Sequence, residues 1–444
     1  MSQYKAYPAY KDSGVEWIGQ VPEHWKIAPV KYHYDARLGK MIQPAAVSDR
    51  DIEVPYHRAQ TVQWERIVES DIKEMWASPR DIEQFSVSEG DLLICEGGDV
   101  CRAAIVKQPP EKNMIFQNSI HRIRSKGEYG VGWIMRLMQH LRSSEWIDVL
   151  CNKNTIVHFT SDKLGSLECP LPPPDEQATI AAALDRETAR IDALVEKKTR
   201  FIELLKEKRQ ALITHAVTKG LDPNVKMKDS GIEWIGQVPE HWEVKPFKYI
   251  LSAPMSYGAN ESAESDDPNH PRYIRITDLT ENGTLREDTF KTLPWDKAYS
   301  YLLSDGDILL ARSGATVGKS FLYRETNGAA CFAGYLIKAS CNEEKALPKY
   351  IYAYLQSHSY WEYISGSNIQ STIQNVSAEK YSSMVLPVPQ REEQATIAAT
   401  LDRETARIDA LIGKAEQSIT LLKERRSAFI TAAVTGQIDL RGKQ

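Results

Sequence analysis

The chain has 444 residues, of which 42% are hydrophobic and 26% are charged, and this composition is typical of a globular protein with roughly two to four domains. It contains no apolar run of about 18 residues and no signal-peptide core, so we expect a cytoplasmic protein that does not enter a membrane. The net charge of −5 excludes a histone-like, purely electrostatic nucleic-acid binder, but it allows a sequence-specific reader with local basic patches.

The cysteines form no Cys-x-x-Cys pair and have no His-x₃-His run beside them. We therefore expect buried apolar side chains rather than disulfides or zinc ligands, and no metal site. They are Cys95, Cys101, Cys151, Cys169, Cys331 and Cys341.

A tryptophan-rich arm begins at Lys11 with the sequence KDSGVEWIGQVPEHW. KDSGIEWIGQVPEHW begins at Lys228, so the arm recurs 217 residues later (228 − 11) with Val15 replaced by Ile232. Repetition at a fixed offset indicates the tandem duplication of a whole structural unit. We expect each arm to fasten an interior domain to a helix. An alternative is that the arms also form docking surfaces for an identical pair of partner subunits.

The interior that follows each arm has diverged between the two copies. Segments that begin at Pro55 and Glu89 align with segments that begin at Arg272 and Asp305, at offsets of 217 and 216 residues, and they share only scattered positions. Two different interiors on one nearly identical frame suggest one task performed on two different targets.

Each interior mixes strand-like and helix-like patterns. Asp91–Cys95 and Asp307–Leu310 read as strands, whereas Trp133–Ser143 and Pro348–His358 read as helices. The interiors are therefore predicted to be α+β domains.

A nearly identical helical block closes each copy. EQATIAAALDRETARIDALVEK begins at Glu176, and EQATIAATLDRETARIDALIGK begins at Glu393. Apolar residues recur at 3.5-residue spacing, which predicts a coiled-coil seam in helices of roughly 40–45 residues. The predicted seam residues are Ile180, Leu184, Ile191, Leu194, Phe201, Leu205, Leu212, Ile397, Leu401, Ile408, Leu411, Leu422 and Phe429.

Gly220 and Gly436 are expected to end these helices as C-caps. We expect the two helices to pair antiparallel, because the chain leads from Gly220 directly into the second interior. Each helix end would then lie beside an equivalent arm. The two copies would thus be arranged as in a circular chain of two repeats that is opened at one point.

In this order, and duplicated, the motifs resemble the DNA-specificity subunit of type I restriction–modification systems over essentially the entire chain. The motifs that carry the resemblance are SGVEWIGQVPEHW, GDLLICEGGDV, LPPPDEQATIAAALDRETARID, LITHAVTKGL and ARSGATVGKS. The resemblance implies that each interior is a target recognition domain that reads one half of a split DNA site, with the helices setting the spacer.

The resemblance also implies the partners. Two modification subunits would methylate adenine with S-adenosylmethionine, and ATP-dependent restriction subunits would join them. This chain would bind double-stranded DNA, bind no cofactor and perform no chemistry. In agreement, the sequence contains no His-Glu-x-x-His, Gly-x-Ser-x-Gly or Asn-Pro-Pro-Tyr motif, and Ser313 replaces the first glycine of a phosphate-binding loop. We predict no catalytic residue.

The predicted fold is α+β, with two target recognition domains of mixed β-sheet core separated by a long antiparallel two-helix coiled coil in a pseudo-two-fold repeat. The predicted domains are residues 1–170 (first arm and recognition domain), 171–220 (first long helix), 221–388 (second arm and recognition domain) and 389–444 (second long helix and tail).

Base-reading side chains should project from loops of a rigid domain, with arginine or lysine reading guanine and asparagine or glutamine reading adenine. The candidates in the first interior are Tyr56, Arg58, Gln60, Gln63, Glu96, Gly97, Gly98, Arg102, Asn152, Lys153, Asn154 and Thr155. The candidates in the second are Arg275, Thr277, Arg312, Ser313, Thr316, Lys319, Ser367, Asn368, Gln370 and Ser371.

These candidates have alternative interpretations. The glycine-rich loops are also typical of tight turns. Arg58 and Arg275 match each other across two diverged targets, which favours a shared phosphate-binding or structural role over base reading. The polar runs near Asn152 and Asn368 differ between the copies, as base readers should, but they could also be solvated loops.

Two other functions remain open at this point. One is a cytoplasmic coiled-coil adaptor that pairs two protein partners without reading DNA. The other is the recognition region of a self-sufficient restriction–methylation enzyme, and the absence of catalytic motifs argues against it.

Overall fold

The computed structural model of the chain describes residues 4–151, 158–280, 283–368 and 375–442. Two compact units make up the fold: Met1–Lys198 with Gln417–Gln444, and Thr199–Glu416. Each of the two long helices therefore contributes one part of its length to each unit.

The first copy contains thirteen named strands and six α-helices within the described ranges. In chain order they are β1 (Tyr10–Asp12), β2 (Gln20–Pro22), β3 (Lys26–Pro29), α1 (Val30–His33), β4 (Tyr34–Leu38), β5 (Ile52–His57), β6 (Val62–Gln63), β7 (Arg66–Ile67), β8 (Lys73–Ala77), α2 (Pro79–Gln84), β9 (Leu92–Cys95), β10 (Ala103–Ile105), β11 (Ile115–Phe116), β12 (Ile120–Ser125), α3 (Val131–Ser143), α4 (Trp146–Leu150), α5 (Ser161–Ser166), β13 (Glu168–Leu171) and α6 (Pro174–Lys219).

The second copy repeats most of this order. Its elements are β14 (Met227–Asp229), β15 (Gln237–Pro239), β16 (Glu243–Pro246), β17 (Ser256–Tyr257), β18 (Arg272–Ile274), α7 (Trp295–Ala298), β19 (Ile308–Ala311), β20 (Ser320–Leu322), β21 (Ala330–Phe332), β22 (Leu336–Ala339), α8 (Pro348–Tyr354), α9 (His358–Asn368), α10 (Ala378–Ser383), β23 (Val385–Val388) and α11 (Arg391–Val434).

The sheets of the two interiors correspond. The first interior has an antiparallel sheet in the order β10–β9–β12–β4 and a mixed sheet in the order β11–β5–β8, in which β11 and β5 are parallel. The second has an antiparallel sheet in the order β20–β19–β22–β17 and a parallel pair, β18–β21. Sheets of both kinds beside separate helices confirm the predicted α+β class.

A retained Gly-Asp pair begins the central strand of each interior. Gly90 and Gly306 have φ angles of 86° and 85°, which glycine adopts without steric cost. Asp91 and Asp307 each accept a hydrogen bond of 2.8 Å from the backbone N–H three residues earlier. The strands that follow, β9 and β19, are buried along their whole length. The motif is therefore the turn that starts the core strand.

Each arm is a short antiparallel hairpin, β1–β2 or β14–β15, that ends in a fully buried tryptophan, Trp25 or Trp242. The strand after it, β3 or β16, pairs with the strand that precedes the long helix, β13 or β23. The arm is thereby joined to both ends of its interior.

The first arm holds the start of α6 and the end of α11. In the first unit, the Glu176 carboxylate accepts hydrogen bonds from Trp25 Nε1 at 3.0 Å and Tyr7 Oη at 2.7 Å, and it lies 2.7 Å from His24 Nε2. Burial and the neighbouring carboxylate raise the pKa of Tyr7, so its hydroxyl stays a neutral donor. Pro22 and Trp25 also pack directly against Gly436, just beyond α11.

The second arm repeats two of these contacts in the second unit. His241 Nε2 lies 2.8 Å from the Glu393 carboxylate at the start of α11, and Trp242 packs against Gly220 at the end of α6. We call this pair of contacts, a helix-start glutamate and a helix-end glycine held by one arm, the arm clamp. It confirms that each helix end lies beside an equivalent arm.

The long helices run antiparallel inside each unit, as predicted. In the first unit, Asp192 of α6 pairs with Arg426 of α11 at 3.0 Å, and Ile180 near the start of α6 shares a core with the end of α11. In the second unit, Arg209 of α6 pairs with Asp409 of α11, also at 3.0 Å. The two ion pairs correspond to each other at the 217-residue offset.

The predicted seam is confirmed at ten of its thirteen residues, which are buried or half-buried, and it is wrong at three. Leu194, Phe201 and Leu411 are exposed to 39%, 46% and 39%. An isoleucine at every eleventh position is buried or half-buried, and four of these eight isoleucines belong to the predicted seam. These isoleucines are Ile180, Ile191, Ile202, Ile213, Ile397, Ile408, Ile419 and Ile430. Eleven residues in three turns give 3.67 residues per turn, close to the 3.6 of a straight α-helix, so this stripe stays on one face without the left-handed coiling that heptads impose.

No helix in the described ranges has both the length and the apolar character of a membrane span. All six cysteines are free and buried, as predicted.

Substituting the two clamp glycines with alanine should have unequal effects. Gly220 and Gly436 have φ angles of 76° and 74°. Alanine at either position should therefore lower the free energy of unfolding by about 1–2 kcal/mol. A Cβ at Gly436 would lie 2.2 Å from Cδ of the rigid Pro22 ring, whereas at Gly220 the nearest atom is 3.3 Å away. Gly436→Ala should therefore lose a further 1–3 kcal/mol or so to overpacking.

Thermal unfolding followed by tryptophan fluorescence measures this difference. Gly220→Ala is the matched control for backbone strain. Equal losses in the two variants would show that the first arm does not pack against the end of α11 as described.

Candidate nucleic-acid interface

Three of the predicted stretches meet at one edge of the first interior. The loop after β5 is tied to the loop after β9, because the Arg102 guanidinium donates to the Ala59 carbonyl at 2.7 Å. The loop after β9 is tied in turn to the segment before α5, because Phe159 N–H donates to the Glu96 carbonyl at 2.9 Å. The candidates of this segment, Asn152, Lys153, Asn154 and Thr155, all lie outside the described residues.

The second interior brings together the equivalent stretches. Val376 N–H donates to the Arg312 carbonyl at 2.9 Å, and Ser313 forms a β-bridge with Asn375. The turn that carries Arg275 and Thr277 packs through Ile276 into the same apolar cluster as β19. Ser367 and Asn368 end α9, but their side chains, together with Gln370 and Ser371, lie outside the described residues.

Tyr56 does not lie on a loop. It is in β5 and only 5% exposed, packed among Val54, Met75 and Ile115. The loop prediction is wrong for this residue, because the strand continues to His57 and alternation turns Tyr56 toward the core.

Arg58 and Arg275 occupy the same structural position. Each caps a 3₁₀ turn that directly follows the parallel strand of its interior. The Arg58 guanidinium pairs with Asp71, and the Arg275 guanidinium binds Asp278 at 2.9 Å. Both guanidinium groups thus pair with carboxylates of this chain. This supports a structural role, which is one of the two shared roles that their match predicts.

The other polar candidates of these turns are more accessible. Gln60 is exposed, and its carbonyl accepts a hydrogen bond of 2.9 Å from Gln63 Nε2. Thr277 is exposed and donates to Asp278 at 3.3 Å. These side chains lie at the surface beside the loops that follow β9 and β19.

The glycine-rich loops are tight turns as well as candidate surfaces. Gly98 and Gly314 have φ angles of 73° and 74°, and Cys101 and Gly318 have φ angles of 70° and 85° at equivalent positions. Gly97 precedes the first of these turns, and the second contains Ser313, Thr316 and Lys319. Residues 314–316 form one 3₁₀ turn that leads into β20, so the segment lacks the helix that follows a phosphate-binding loop.

Two crowded glycines were missed by the sequence analysis. A Cβ at Gly39 would lie 2.3 Å from the Gln117 carbonyl oxygen, and a Cβ at Gly258 would lie 2.2 Å from the Phe332 carbonyl oxygen. They allow the end of β4 or β17 to approach the backbone beside the candidate loops. Their offset is 219 residues (258 − 39) rather than 217, so the match is out of register in a simple repeat comparison.

Buried histidines support these loops as neutral groups. Burial lowers the pKa of His57 to about 4, and its Nδ1 lies 3.2 Å from Thr61 Oγ1 beneath the first turn. Burial also lowers the pKa of His121, whose Nε2 lies 2.7 Å from the Phe159 carbonyl oxygen. At neutral pH these rings position backbone and carry no charge toward a ligand.

The candidate interface therefore consists of turns that a rigid sheet holds at the ends of its core strands, with polar side chains that differ between the two units. Such turns can present hydrogen-bond donors and acceptors to a surface. No group of three His, Cys, Asp or Glu residues suitable for a metal occurs in the part of the chain that the structure describes.

Comparisons with known proteins give the same family for both halves of the chain. A model of the type I restriction modification DNA specificity domain matches residues 53–204 and 239–421. The StySPI specificity subunit of Salmonella potsdam is 27% identical over 209 residues, and the match covers 46% of this chain and 44% of that protein. The chain thus spans less than half of that relative.

Other relatives match over their whole length. The putative MjaX specificity subunit of Methanocaldococcus jannaschii is 25% identical, and the match covers 96% of both chains. A chain solved in a study of complex assembly of the type I R-M system has the same fold, with a TM-score of 0.70, 14% identity and coverage of 96% of this chain and 99% of that one. The HsdS subunit from Thermoanaerobacter tengcongensis gives a TM-score of 0.52 at 15% identity, over 94% and 98%.

Removing the two turn arginines should have unequal effects on stability. Asp278 is buried, so Arg275→Ala leaves a buried carboxylate without its cation and should cost about 1–3 kcal/mol. The Asp71 side chain is exposed, so Arg58→Ala should cost about 1 kcal/mol or less. Urea unfolding of the two variants measures both values, and a larger loss for Arg58→Ala would contradict the structural role given to Arg275.

Proposed function

The chain belongs to the type I restriction–modification DNA specificity family, and we propose that it is the non-catalytic subunit that selects the DNA sequence for a methylation and restriction complex in the cytoplasm. One observation carries this proposal: two interiors with corresponding four-stranded sheets, parallel strand pairs and turns present different side chains at the same loops. A scaffold kept constant under variable loops suits one mode of binding applied to two sequences.

In this proposal each unit reads one half of a bipartite, asymmetric DNA site. The donors and acceptors needed for base edges are present in the loops after β9 and β19 and in the turns after β5 and β18. The lengths of α6 and α11 would set the spacer between the half-sites. The net charge of −5 gives this chain no overall electrostatic attraction to DNA, so we expect tight binding to need the partner subunits.

The partners we propose are two modification subunits, which carry S-adenosylmethionine and methylate adenine, and ATP-dependent restriction subunits. The duplicated frame supports two equal docking positions, since identical surfaces bind identical partners. S-adenosylmethionine would be bound by the modification subunits rather than by this chain.

An exposed Lys-Tyr pair is repeated beside each arm clamp. Tyr32 is 66% exposed and Tyr249 is 57% exposed, and the ammonium groups of Lys31 and Lys248 lie 5.9 and 5.3 Å from the respective ring centroids. The neighbouring apolar positions differ between the copies, with valine in one and phenylalanine in the other before the pair. Packing therefore does not explain why the exposed pair is retained, whereas a shared partner does.

The adaptor hypothesis is not favoured, because the family match covers most of both interiors and the first part of both long helices. An adaptor also has no need for two interiors that differ at equivalent loops.

Lengthening both helices together should lengthen the spacer. Inserting two eleven-residue repeats into α6 after Phe201 and into α11 after Ser418 keeps the isoleucine stripe in phase and adds about 33 Å to each helix. This length is about one turn of B-DNA, so the complex with the modification subunit should then methylate a motif with the same two half-sites and a spacer longer by about ten base pairs. Sequencing of methylated adenines in a plasmid library measures the motif.

The unmodified chain serves as the control and should give one bipartite motif. An insertion of the same length into the exposed loop near Asp266 should leave the spacer unchanged. A wild-type complex that binds scrambled DNA as well as its methylated site would contradict the function itself. An unaltered spacer after the helix insertions would contradict the role of the helices.

Removing the exposed tyrosines should release the modification subunits one at a time. Tyr32→Ala and Tyr249→Ala should each weaken one docking position by about thirtyfold or more, and the double variant should lose both subunits. Native mass spectrometry of the reconstituted complex counts them.

Tyr299→Ala is the matched control, because this exposed tyrosine of the second unit has no counterpart in the first. If the double variant kept both subunits but bound DNA of any sequence more weakly, the Lys-Tyr pairs would be phosphate contacts instead.

A further inference from the structure

We propose that Glu96 and Arg312, which occupy the same place in the two units, each read one base pair with opposite chemistry. Arg312 would recognise a guanine in the half-site of the second unit, and Glu96 would recognise a cytosine in the half-site of the first. This inference rests on the proposed DNA-reading function and names the position in each interior that determines specificity.

The backbone around Glu96 is fixed on both sides. Glu96 directly follows the core strand β9, its N–H donates to the Ser119 carbonyl at 2.9 Å, and its carbonyl accepts from Phe159 N–H at 2.9 Å. The residue is thus held between the start of β12 and the segment before α5.

The backbone around Arg312 is fixed in the same way. Arg312 directly follows β19, its N–H donates to the Tyr335 carbonyl at 3.1 Å, and its carbonyl accepts from Val376 N–H at 2.9 Å. Because the main chain makes the same pattern of backbone hydrogen bonds in both units, the scaffold does not require one residue type here. The change from an anion to a cation must serve something outside the scaffold.

Stacking on an aromatic ring orients the Arg312 guanidinium for binding to the edge of a base. Its guanidinium carbon lies 4.7 Å from the centroid of the Tyr257 ring, and the Tyr257 hydroxyl is held by Ala378 N–H at 3.1 Å. No carboxylate pairs with Arg312 among the described residues, and its terminal guanidinium nitrogens donate no hydrogen bond there, whereas its Nε is buried. A stacked guanidinium with two free terminal nitrogens matches the O6 and N7 acceptors of guanine.

At the equivalent position of the first unit, Glu96 supplies a hydrogen-bond acceptor where Arg312 supplies donors. It is half-buried, and no cation pairs with its carboxylate in the described part of the first unit. A carboxylate near DNA is repelled by phosphates, so it weakens binding to any sequence that does not compensate it. The amino group of cytosine is the donor that a carboxylate reads in the major groove.

The neighbours of this position change together with it. By strand pairing, Leu38 in the first unit corresponds to Tyr257 in the second, because they lie opposite His121 and Ile337. The glycine that follows each of them is retained for the close backbone approach described above. The variable residues therefore cluster around positions 96 and 312, while the backbone that supports them is constant.

The test is the methylated motif of the reconstituted complex with its modification subunit. Arg312→Lys keeps the charge but removes the two-donor fork, so preference for one guanine in one half-site should fall by about 5- to 150-fold while the other half-site is unchanged. Glu96→Gln should relax a cytosine in the opposite half-site to a similar extent. Arg324→Gln is the control, because this surface arginine pairs with Asp305 at the other end of β19.

The possible results are distinguishable. Arg312→Lys or Glu96→Gln variants that leave both half-sites intact would overturn the assignment alone, provided that the wild-type motif is bipartite. A uniform loss across all sequences would also overturn it, because that is the behaviour of a phosphate contact. A wild-type complex without a bipartite motif would overturn the proposed function and this assignment with it.

Discussion

The arm clamp is the interaction on which the rest of the structure depends. In each unit one arm holds the first turn of one long helix through a glutamate and the end of the other through a glycine in the left-handed region. The tryptophan that fills this junction is fully buried in both copies. Because the clamp joins a helix of one copy to a helix of the other, it also requires the antiparallel pairing inside each unit, which the Asp192–Arg426 and Asp409–Arg209 pairs repeat.

This frame explains why the two halves of the sequence diverge so unevenly. The arms and long helices meet one another and, in our proposal, identical partners, so both copies are under the same constraint. The interiors need to retain only the residues of the turns that begin the core strands. These residues are Gly90 and Asp91 in the first interior and Gly306 and Asp307 in the second. The loops at the ends of those strands can vary, and Glu96 and Arg312 show that even the sign of the charge can change without a change in backbone.

Much of the architecture could be predicted from the sequence, because each arm, interior and helical pattern occurs twice in the chain. The arms, the α+β interiors, the long helices and the antiparallel pairing all follow from residues that repeat at a fixed offset. The seam was wrong at three positions because a heptad and an eleven-residue pattern share their first positions, and only the partner helix decides that Leu194 is exposed while Ile202 is buried. Tyr56 was misplaced because the end of β5 depends on pairing with β11, which lies far along the chain. The meeting of the candidate loops also depends on such distant contacts, and the sequence alone could not show it.

Replacing residues 26–171 by the equivalent residues 243–388 tests the central claim most directly, because it places the second interior in both positions of one unchanged frame. The account predicts that the complex of this chain with its modification subunit will methylate a palindromic motif made of the second half-site twice, in inverted orientation. A motif that keeps the original first half-site, or an asymmetric motif of any kind, would contradict the claim that the two interiors are interchangeable readers on a duplicated frame.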